Sequence, residues 1–376
     1  MTDAEKLLHR LLDDLEGRLD LQHVGRARAR RRAALDYEPL EIPPLVCYLR
    51  CETEAFQPYP YPEAFGDPAK MMFNELLAGF TSIYHAVDLR DDAPYCLRPN
   101  FGTGIVASMF GAEIVLREDN MPWARPIGPD GARAVLEAPL PETDAGLGRK
   151  VREQYEFFHH ALEPHPRCRE AFEITLPDLQ GPFDTAEMLW GSDVFVALHT
   201  ERDRVVALLD RVSDQMVRVH RALTGLTRDS LSPGAHHQHA VAVKGNLLIR
   251  NDTPVLVSAE TYTKAIRPFD ARLARALGGV AIHFCGDGTH LVDAMLDIPG
   301  MQCLDFGQAE MMDLDAIYAK CAPRRVALAR CQVPRSDLTA RSVRARFPAG
   351  ASLVYQADSL ADAHAAWARY VSHEGE

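Results

Sequence analysis

A histidine and a cysteine stand two residues apart in the segment IHFCGDG, which spans Ile282–Gly288. The apolar residues before them predict a β-strand, and side chains two apart on a strand project from the same face. An imidazole nitrogen and a thiolate sulfur suit zinc, at about 2.0–2.1 Å and about 2.3 Å. His283 and Cys285 are therefore candidate metal ligands, although a buried structural histidine and cysteine would give the same pattern.

A second group of chemically capable residues surrounds the segment HHQH, which ends at His239. If the segment is extended, His237 and His239 share a side, where they could bind metal or exchange protons near neutral pH. A solvated histidine loop is the alternative. Asp252 and Asp178 follow predicted strands, so each is a candidate catalytic carboxylate, or else a helix cap or the partner of an arginine. The candidate substrate-binding residues are Arg50, Asn246, Arg250, Gln180 and Tyr355.

The elements that must position these residues alternate between strand and helix along most of the chain. Leucines at three- and four-residue steps predict helix within residues 4–35. We therefore expect an N-terminal helical extension over residues 1–40 and an α/β domain over residues 41–376. Strand–helix alternation favours a parallel sheet with helices outside it, either closed as a (β/α)₈ TIM barrel or open and doubly wound.

Composition narrows the classes of function. The chain has 376 residues, 47% hydrophobic and 25% charged, with a formal net charge of −12. That charge argues against nucleic acid or a membrane as a general partner, because both are anionic. The basic run from Arg26 to Arg32 is interpreted as a solvated helix face, with an anionic partner as the alternative. Eight scattered cysteines without an export signal predict a reduced, cytoplasmic protein.

Several segments, in order, resemble the uroporphyrinogen decarboxylase superfamily. They are LQGPFDTAEMLWG (Leu179–Gly191), SAETYTKAIRPFDARL (Ser258–Leu273), the HxCG strand, CLDFG (Cys303–Gly307) and RVALARCQVP (Arg325–Pro334). The resemblance covers roughly residues 43–372 and implies the closed (β/α)₈ barrel. In the methylcobamide:coenzyme M methyltransferase branch of that superfamily, the histidine and cysteine of HxCG bind zinc. The resemblance thus implies zinc at His283 and Cys285, and Asp252 matches a position that is commonly acidic.

Three departures from the superfamily pattern bear on function. The early RQAGR-type motif of the decarboxylases is replaced by YLRCETEAF, where Arg50 is the one candidate for a carboxylate clamp. The late GHG-type loop is replaced by LVYQADS, which has no histidine. The third zinc ligand of the methyltransferase branch, a cysteine near that late loop, is replaced by Tyr355 and its neighbours. Cys331, a histidine of the HHQH segment, or an acidic residue would have to substitute for it.

The resemblance implies a zinc-dependent methyltransferase that takes a methyl group from a corrinoid protein or another methyl carrier. The expected partners are that carrier and a small-molecule substrate, with a homodimer as an expected assembly. One alternative is a metal-free carboxy-lyase, a decarboxylase of a small carboxylic acid, in which Arg50, Arg98 or Arg250 binds the carboxylate. The other is a non-catalytic barrel that binds a small molecule.

Overall fold

The computed structural model describes residues 1–50, 53, 55–117 and 120–372. The strands are β1 (Leu45–Tyr48), β2 (Tyr95–Leu97), β3 (Glu113–Arg117), β4 (Asn120–Arg125), β5 (Phe172–Ile174), β6 (Ala235–Gln238), β7 (Val241–Lys244), β8 (Leu247–Arg250), β9 (Val280–Phe284), β10 (Met301–Phe306), β11 (Ala327–Gln332) and β12 (Ala351–Gln356).

The α-helices are α1 (Asp3–Arg18), α2 (Leu21–Leu35), α3 (Tyr61–Gly66), α4 (Pro68–Ala78), α5 (Ile83–Leu89), α6 (Ile105–Met109), α7 (Gly128–Glu137), α8 (Gly148–Ala161), α9 (Pro166–Ala171), α10 (Pro182–Trp190), α11 (Val194–Thr200), α12 (Arg202–Thr224), α13 (Ala259–Thr261), α14 (Arg267–Leu277), α15 (Val292–Leu296), α16 (Leu314–Cys321), α17 (Ala340–Arg346) and α18 (Leu360–Val371).

Six parallel strands form the main sheet in the order β1-β12-β11-β10-β9-β8. The first and last of the parallel strands along the chain, β1 and β12, are therefore neighbours. β2 and β5 form a separate parallel pair. This pair is linked to the sheet by a backbone hydrogen bond from Asp92 to Leu45 and by a parallel bridge between Gln180 and Arg250. The chain thus has a mixed α/β fold that is consistent with a barrel.

The strands of the main sheet are apolar because both of their faces are covered. β9 is buried along its whole length, as expected of a parallel strand with helices outside it. Register places Arg250 of β8 beside His283 of β9, and His283 beside Asp305 of β10. Partners in parallel register face the same way, so these three side chains lie together near the carboxyl ends of their strands.

Two antiparallel hairpins interrupt the strand–helix alternation. β3 is not part of the main sheet, because it pairs with β4 to form the first hairpin. The second hairpin consists of β6 and β7, and β7 packs against β9, β10 and β11. Its two-residue turn is His239-Ala240, so the second hairpin carries part of the predicted histidine segment to the carboxyl ends of the strands.

The two N-terminal helices pack on the α/β part of the chain. Leu8, Leu11, Leu12 and Leu15 of α1 are fully buried, which confirms the helix that their spacing predicts. The basic run on α2 is not a solvated face. Arg28 pairs with Glu173, Arg30 with Asp92, and Arg32 donates to the backbone oxygen of Leu231. The run therefore ties α2 to β5 and to the segments around Asp92 and Leu231, while the division at residue 40 stays a prediction.

A π-helical turn over Tyr262–Ile266 directly precedes α14, whose second residue is Pro268. Of the helices that the structure describes, none has the length and apolarity needed to cross a membrane.

Candidate metal and substrate site

His283, Cys285 and Asp252 form a compact group at the carboxyl ends of β8 and β9. The Nε2 atom of His283 lies 3.5 Å from the Sγ atom of Cys285 and 3.6 Å from Oδ1 of Asp252. One potential ligand atom from each residue lies within 4.8 Å of the other two. His283 is buried, whereas Cys285 and Asp252 are partly exposed, so the group is reached from one side.

The second ring nitrogen of His283, Nδ1, is held by a hydrogen bond. Nδ1 lies 2.8 Å from Oδ2 of Asp305, a fully buried carboxylate. Burial alone would raise the pKa of Asp305, but Arg330 and His283 together hold this pKa well below its usual range. Asp305 therefore remains an anion that accepts a hydrogen bond from the Nδ1–H of His283. The Nε2 lone pair of His283 is left to face Cys285 and Asp252.

The group fits a zinc ion. At bond lengths of about 2.0–2.3 Å, the ligand atoms of a tetrahedral zinc lie roughly 3.4–3.6 Å apart, which matches the distances from Nε2 to Cys285 and to Asp252. A histidine that donates its second N–H to a carboxylate is the usual support of a metal-bound imidazole. Burial and Asp252 raise the pKa of the Cys285 thiol to about 12, so a thiolate here needs a compensating cation. The donor set thus favours zinc.

Backbone contacts fix the sulfur and the carboxylate. The N–H of Cys285 donates to Oδ1 of Asp252 at 2.8 Å, and the N–H of Gly286 donates to the side-chain oxygen of Gln308 at 2.5 Å. Gly307 lies against Cys285, and a Cβ atom at this position would stand 2.5 Å from Sγ and 3.1 Å from Cα of Cys285. Glycine at 307 therefore leaves the space that the sulfur occupies.

A second group of charged residues adjoins the first. Asp178 lies 2.6 Å from Nε2 of His239, 2.5 Å from Arg98 and 3.1 Å from Arg250. Burial would raise the pKa of Asp178, but Arg98, His239 and Arg250 hold it well below its usual range. Burial, reinforced by Arg250, lowers the pKa of His239. Arg250 joins the two groups, because its backbone pairs with His283 while its guanidinium contacts His239.

His239 reaches this position through a strained turn. The two central residues of the β6–β7 turn, His239 and Ala240, have φ values of 49° and 58°. A type I′ turn needs positive φ at both positions, which usually carry asparagine and glycine. Tyr48 donates a hydrogen bond to the backbone oxygen of His239 at 2.9 Å. The ring of Phe80 stacks on the imidazole of His239, with the two ring centroids 3.9 Å apart. These contacts hold a conformation that the turn residues themselves disfavour.

Phe80 is surrounded by arginines. The guanidinium carbons of Arg50, Arg98 and Arg330 lie 5.7, 5.6 and 5.5 Å from its ring centroid. Arg98 and Arg330 are neutralised by buried carboxylates. Arg50 is exposed and has no carboxylate partner among the described residues. Arg50 is therefore available to an anionic group of a ligand.

Cys331 does not join the metal group. It is fully buried, and its sulfur is not among the ligand atoms that lie close together with those of His283, Cys285 and Asp252. Burial raises the pKa of its thiol. The interpretation of Cys331 as a third ligand is wrong because its neighbour Arg330, and not Cys331, points to the site. Asp252 is the third residue of the group that could hold a metal ion.

His237 is also absent from the site. The β6–β7 turn begins two residues after it, so His237 and His239 do not share a side. His237 is fully buried, lies 2.9 Å from Asp229, and receives a hydrogen bond from Arg31 at 3.2 Å. His237, Asp229 and Glu173 could geometrically hold a metal, but Arg28 and Ser230 already donate to Glu173. This network is an internal ion cluster.

The other three predicted substrate-binding residues are Asn246, Tyr355 and Gln180, and the first two lie away from Arg50 and Arg250. Asn246 immediately precedes β8, at the opposite end of that strand from Arg250, and its side chain accepts a hydrogen bond from the Gly234 N–H and donates one to the Leu277 backbone oxygen. Tyr355 donates its hydroxyl to Asp362 of α18, and therefore faces the helix layer. Gln180 is buried beside Arg250 through the parallel bridge. Of the three, Gln180 alone adjoins the candidate site.

Asp305, Arg330 and Phe80 were missed by sequence reasoning. Asp305 stands in the CLDFG segment, which follows the HxCG strand, and a carboxylate near the end of the next strand was an available signal. Arg330 and Phe80 offered no such signal. A bulge in β11 directs Arg330 to the site, and Phe80 lies in a loop.

The fold is similar to that of a solved methyltransferase from Methanosarcina mazei. The TM-score is 0.63 at 16% sequence identity, and the similarity covers 91% of this chain and 97% of the other. At that identity the likeness concerns the fold. No protein-family model and no curated protein matches the sequence.

Proposed function

We propose that this chain is a zinc-dependent methyltransferase with His283, Cys285 and Asp252 as the metal ligands. The observation that carries the proposal is the spacing of these three side chains around the Nε2 atom of His283, with Asp305 behind it. The fold of the Methanosarcina mazei methyltransferase supports it. We further propose that the eight parallel strands close into a (β/α)₈ barrel, whose active sites lie at the carboxyl ends of the strands.

Bound zinc would lower the pKa of a substrate thiol and provide a thiolate at neutral pH. The chain's own residues prepare that site. Asp305 keeps the Nε2 lone pair of His283 directed outward, and the exposed part of Asp252 gives the released thiol proton a path to solvent. The substrate sulfur attacks the methyl carbon, and the methyl carrier retains the bonding electron pair. Arg50 is placed to hold an anionic part of the substrate.

The methyl carrier proposed is a corrinoid protein, and free methylcobalamin is a practical probe for it. Full-length protein with added zinc is incubated with methylcobalamin and a panel of small thiols, and the demethylation of the corrinoid is followed by absorbance. We expect turnover that Cys285→Ser lowers at least 100-fold. Cys331→Ser is the matched control, because Cys331 lies away from the group, and it should retain activity. Equal activity in both variants would contradict the proposal.

The second candidate is a metal-free carboxy-lyase that acts on a small carboxylic acid. The observation that favours it is the exposed guanidinium of Arg50 beside Phe80, which has no carboxylate partner within the described part of the chain. Carbon dioxide release from a carboxylic acid by chelator-treated protein, lost in Arg50→Gln and retained in Cys285→Ser, would select this reaction over methyl transfer.

A further inference from the structure

Arg330 occupies a backbone position that normally belongs to glycine. Leu328 of β11 pairs with Ala351 of β12, and Cys331 pairs with Leu353, so three steps on one strand face two on the other. The extra residue makes a β-bulge, and Arg330 within it has a φ of 60°. When one residue of a β-bulge has a left-handed backbone conformation, that residue is usually glycine. Any residue with a Cβ atom in this conformation destabilises the fold by roughly 1–2 kcal/mol.

The bulge changes where the arginine points. Ala329 is the register partner of Asp305, so a regular strand would turn the next side chain away from Asp305. With the bulge, Arg330 turns back to the same side. Its Nε donates to Oδ1 of Asp305 at 2.8 Å, and a terminal guanidinium nitrogen donates to Oδ2. Both carboxylate oxygens are thus held by one planar guanidinium.

The hydrogen bonds between Arg330 and Asp305 are connected to the candidate metal ligands through His283. Oδ2 of Asp305, which Arg330 holds, is the atom that lies 2.8 Å from Nδ1 of His283. The plane of the guanidinium fixes the plane of the carboxylate, and the carboxylate fixes the orientation of the imidazole. Phe80 adjoins Arg330 on its other side, at 5.5 Å from the guanidinium carbon to the ring centroid. The guanidinium therefore has little freedom to turn.

We infer that Arg330 is a positioning residue that, through Asp305, keeps the proton of His283 on Nδ1 and so presents Nε2 to the metal. The inference rests on the proposed function and adds to it a residue that touches neither metal nor substrate. A strained backbone conformation persists where its surroundings over-determine it, and such positions cluster at functional sites. An ion pair that served stability alone would not need the guanidinium at a bulge.

The test compares Arg330→Gln and Arg330→Lys with Arg324→Gln. Arg324 is a matched control because it pairs with Asp297 on the exposed surface. Histidine ¹⁵N chemical shifts of the metal-free, full-length protein at fixed pH report which nitrogen of His283 carries the proton. Competition with a chelating dye reports the zinc dissociation constant, and melting temperatures report folding.

We expect the Nδ1–H form of His283 in the parent and in Arg324→Gln, and a mixture of tautomers in Arg330→Gln. The zinc dissociation constant should rise 10–100-fold in Arg330→Gln and less in Arg330→Lys. An unchanged tautomer in a folded Arg330 variant would overturn the inference. If Arg330→Gln does not fold, Arg330→Lys and Asp305→Asn carry the same measurement. A parent that binds no zinc would contradict the proposed function, while the tautomer would still decide the role of Arg330.

Discussion

Arg250 and His283 are register partners on adjacent parallel strands, yet their side chains serve two different groups. The imidazole of His283 faces Cys285 and Asp252, whereas the guanidinium of Arg250 lies 2.8 Å from His239 and 3.1 Å from Asp178. The candidate metal ligands and the group formed by Asp178, His239, Arg98 and Arg250 are therefore separated by a single strand spacing. Arg330 links the proposed metal site to Phe80, because it contacts both Asp305 and the Phe80 ring.

Removing the charge of Arg250 should destabilise the protein strongly. Arg250→Met removes one of the positive charges that balance the buried carboxylate of Asp178. Breaking a buried ion pair typically lowers the free energy of unfolding by about 3–5 kcal/mol. The same substitution at Arg272, which pairs with Asp210 and Asp214 at the surface, should cost about 0–1 kcal/mol. Urea denaturation measures both. Equal losses would show that the interior cluster contributes no more than a surface pair.

The strained turn of the second hairpin gives a stabilising prediction. Ala240 has a φ of 58°, which glycine adopts without strain, so Ala240→Gly should raise the free energy of unfolding by about 0.5–1 kcal/mol. Ala365→Gly, in the exposed part of α18, should lower it by about 1 kcal/mol. Thermal denaturation of both variants provides the measurement. A loss of stability in Ala240→Gly would mean that the turn is not strained.

Gly307 should control the sulfur of Cys285. A methyl group at 307 would meet both Sγ and Cα of Cys285, so Gly307→Ala must displace the thiol. We expect zinc affinity to fall at least tenfold with the fold retained, because a displaced sulfur cannot complete the coordination. Gly225→Ala is the control, because no atom lies near its Cβ position and its φ of −69° suits alanine. Dye competition and circular dichroism distinguish loss of zinc from loss of structure.

The raised pKa of the buried Asp270 carboxyl predicts that stability depends on pH. Burial raises the pKa of this carboxyl to about 7, against hydrogen bonds from Tyr262 and Asn251 that lower it. A raised pKa in the folded state means that the stabilisation is complete below about pH 4 and is lost as the pH rises through about 7. In Asp270→Asn the side chain stays neutral, so the fall in unfolding free energy between pH 5 and pH 8 should shrink, by on the order of 2 kcal/mol. Urea denaturation of metal-free protein at both pH values checks this, and parallel profiles for parent and variant would refute it.

The parts of the fold that depend on local pattern could be predicted, and the parts that depend on pairing could not. Alternation along β9 places His283 and Cys285 on one face, and leucine spacing predicts α1. The register of β9 with β10, which brings Asp305 to His283, is a long-range property that one strand does not encode. The bulge at Arg330 likewise depends on β12, and it puts Cys331 on the wrong side of the sheet for a ligand.

The hairpin shows the same limit. The histidines of the HHQH segment look equivalent in sequence. The two-residue turn places His239 beside Asp178, Arg98 and Arg250, whereas His237 contacts Asp229. Nothing in His239-Ala240 resembles the asparagine and glycine that predict such a turn. The tertiary contacts of His239, and not local propensity, determine the conformation there.

The most direct test of the account is the metal content and coordination of the purified full-length protein. Elemental analysis should find about one zinc per chain. Zinc X-ray absorption should show one sulfur ligand at about 2.3 Å with nitrogen or oxygen ligands at about 2.0–2.2 Å. Cys285→Ser should abolish the sulfur scattering, and Cys331→Ser should leave it unchanged. A protein that takes up no zinc when zinc is supplied, or one whose sulfur ligand is lost with Cys331, would contradict the site proposed at His283, Cys285 and Asp252.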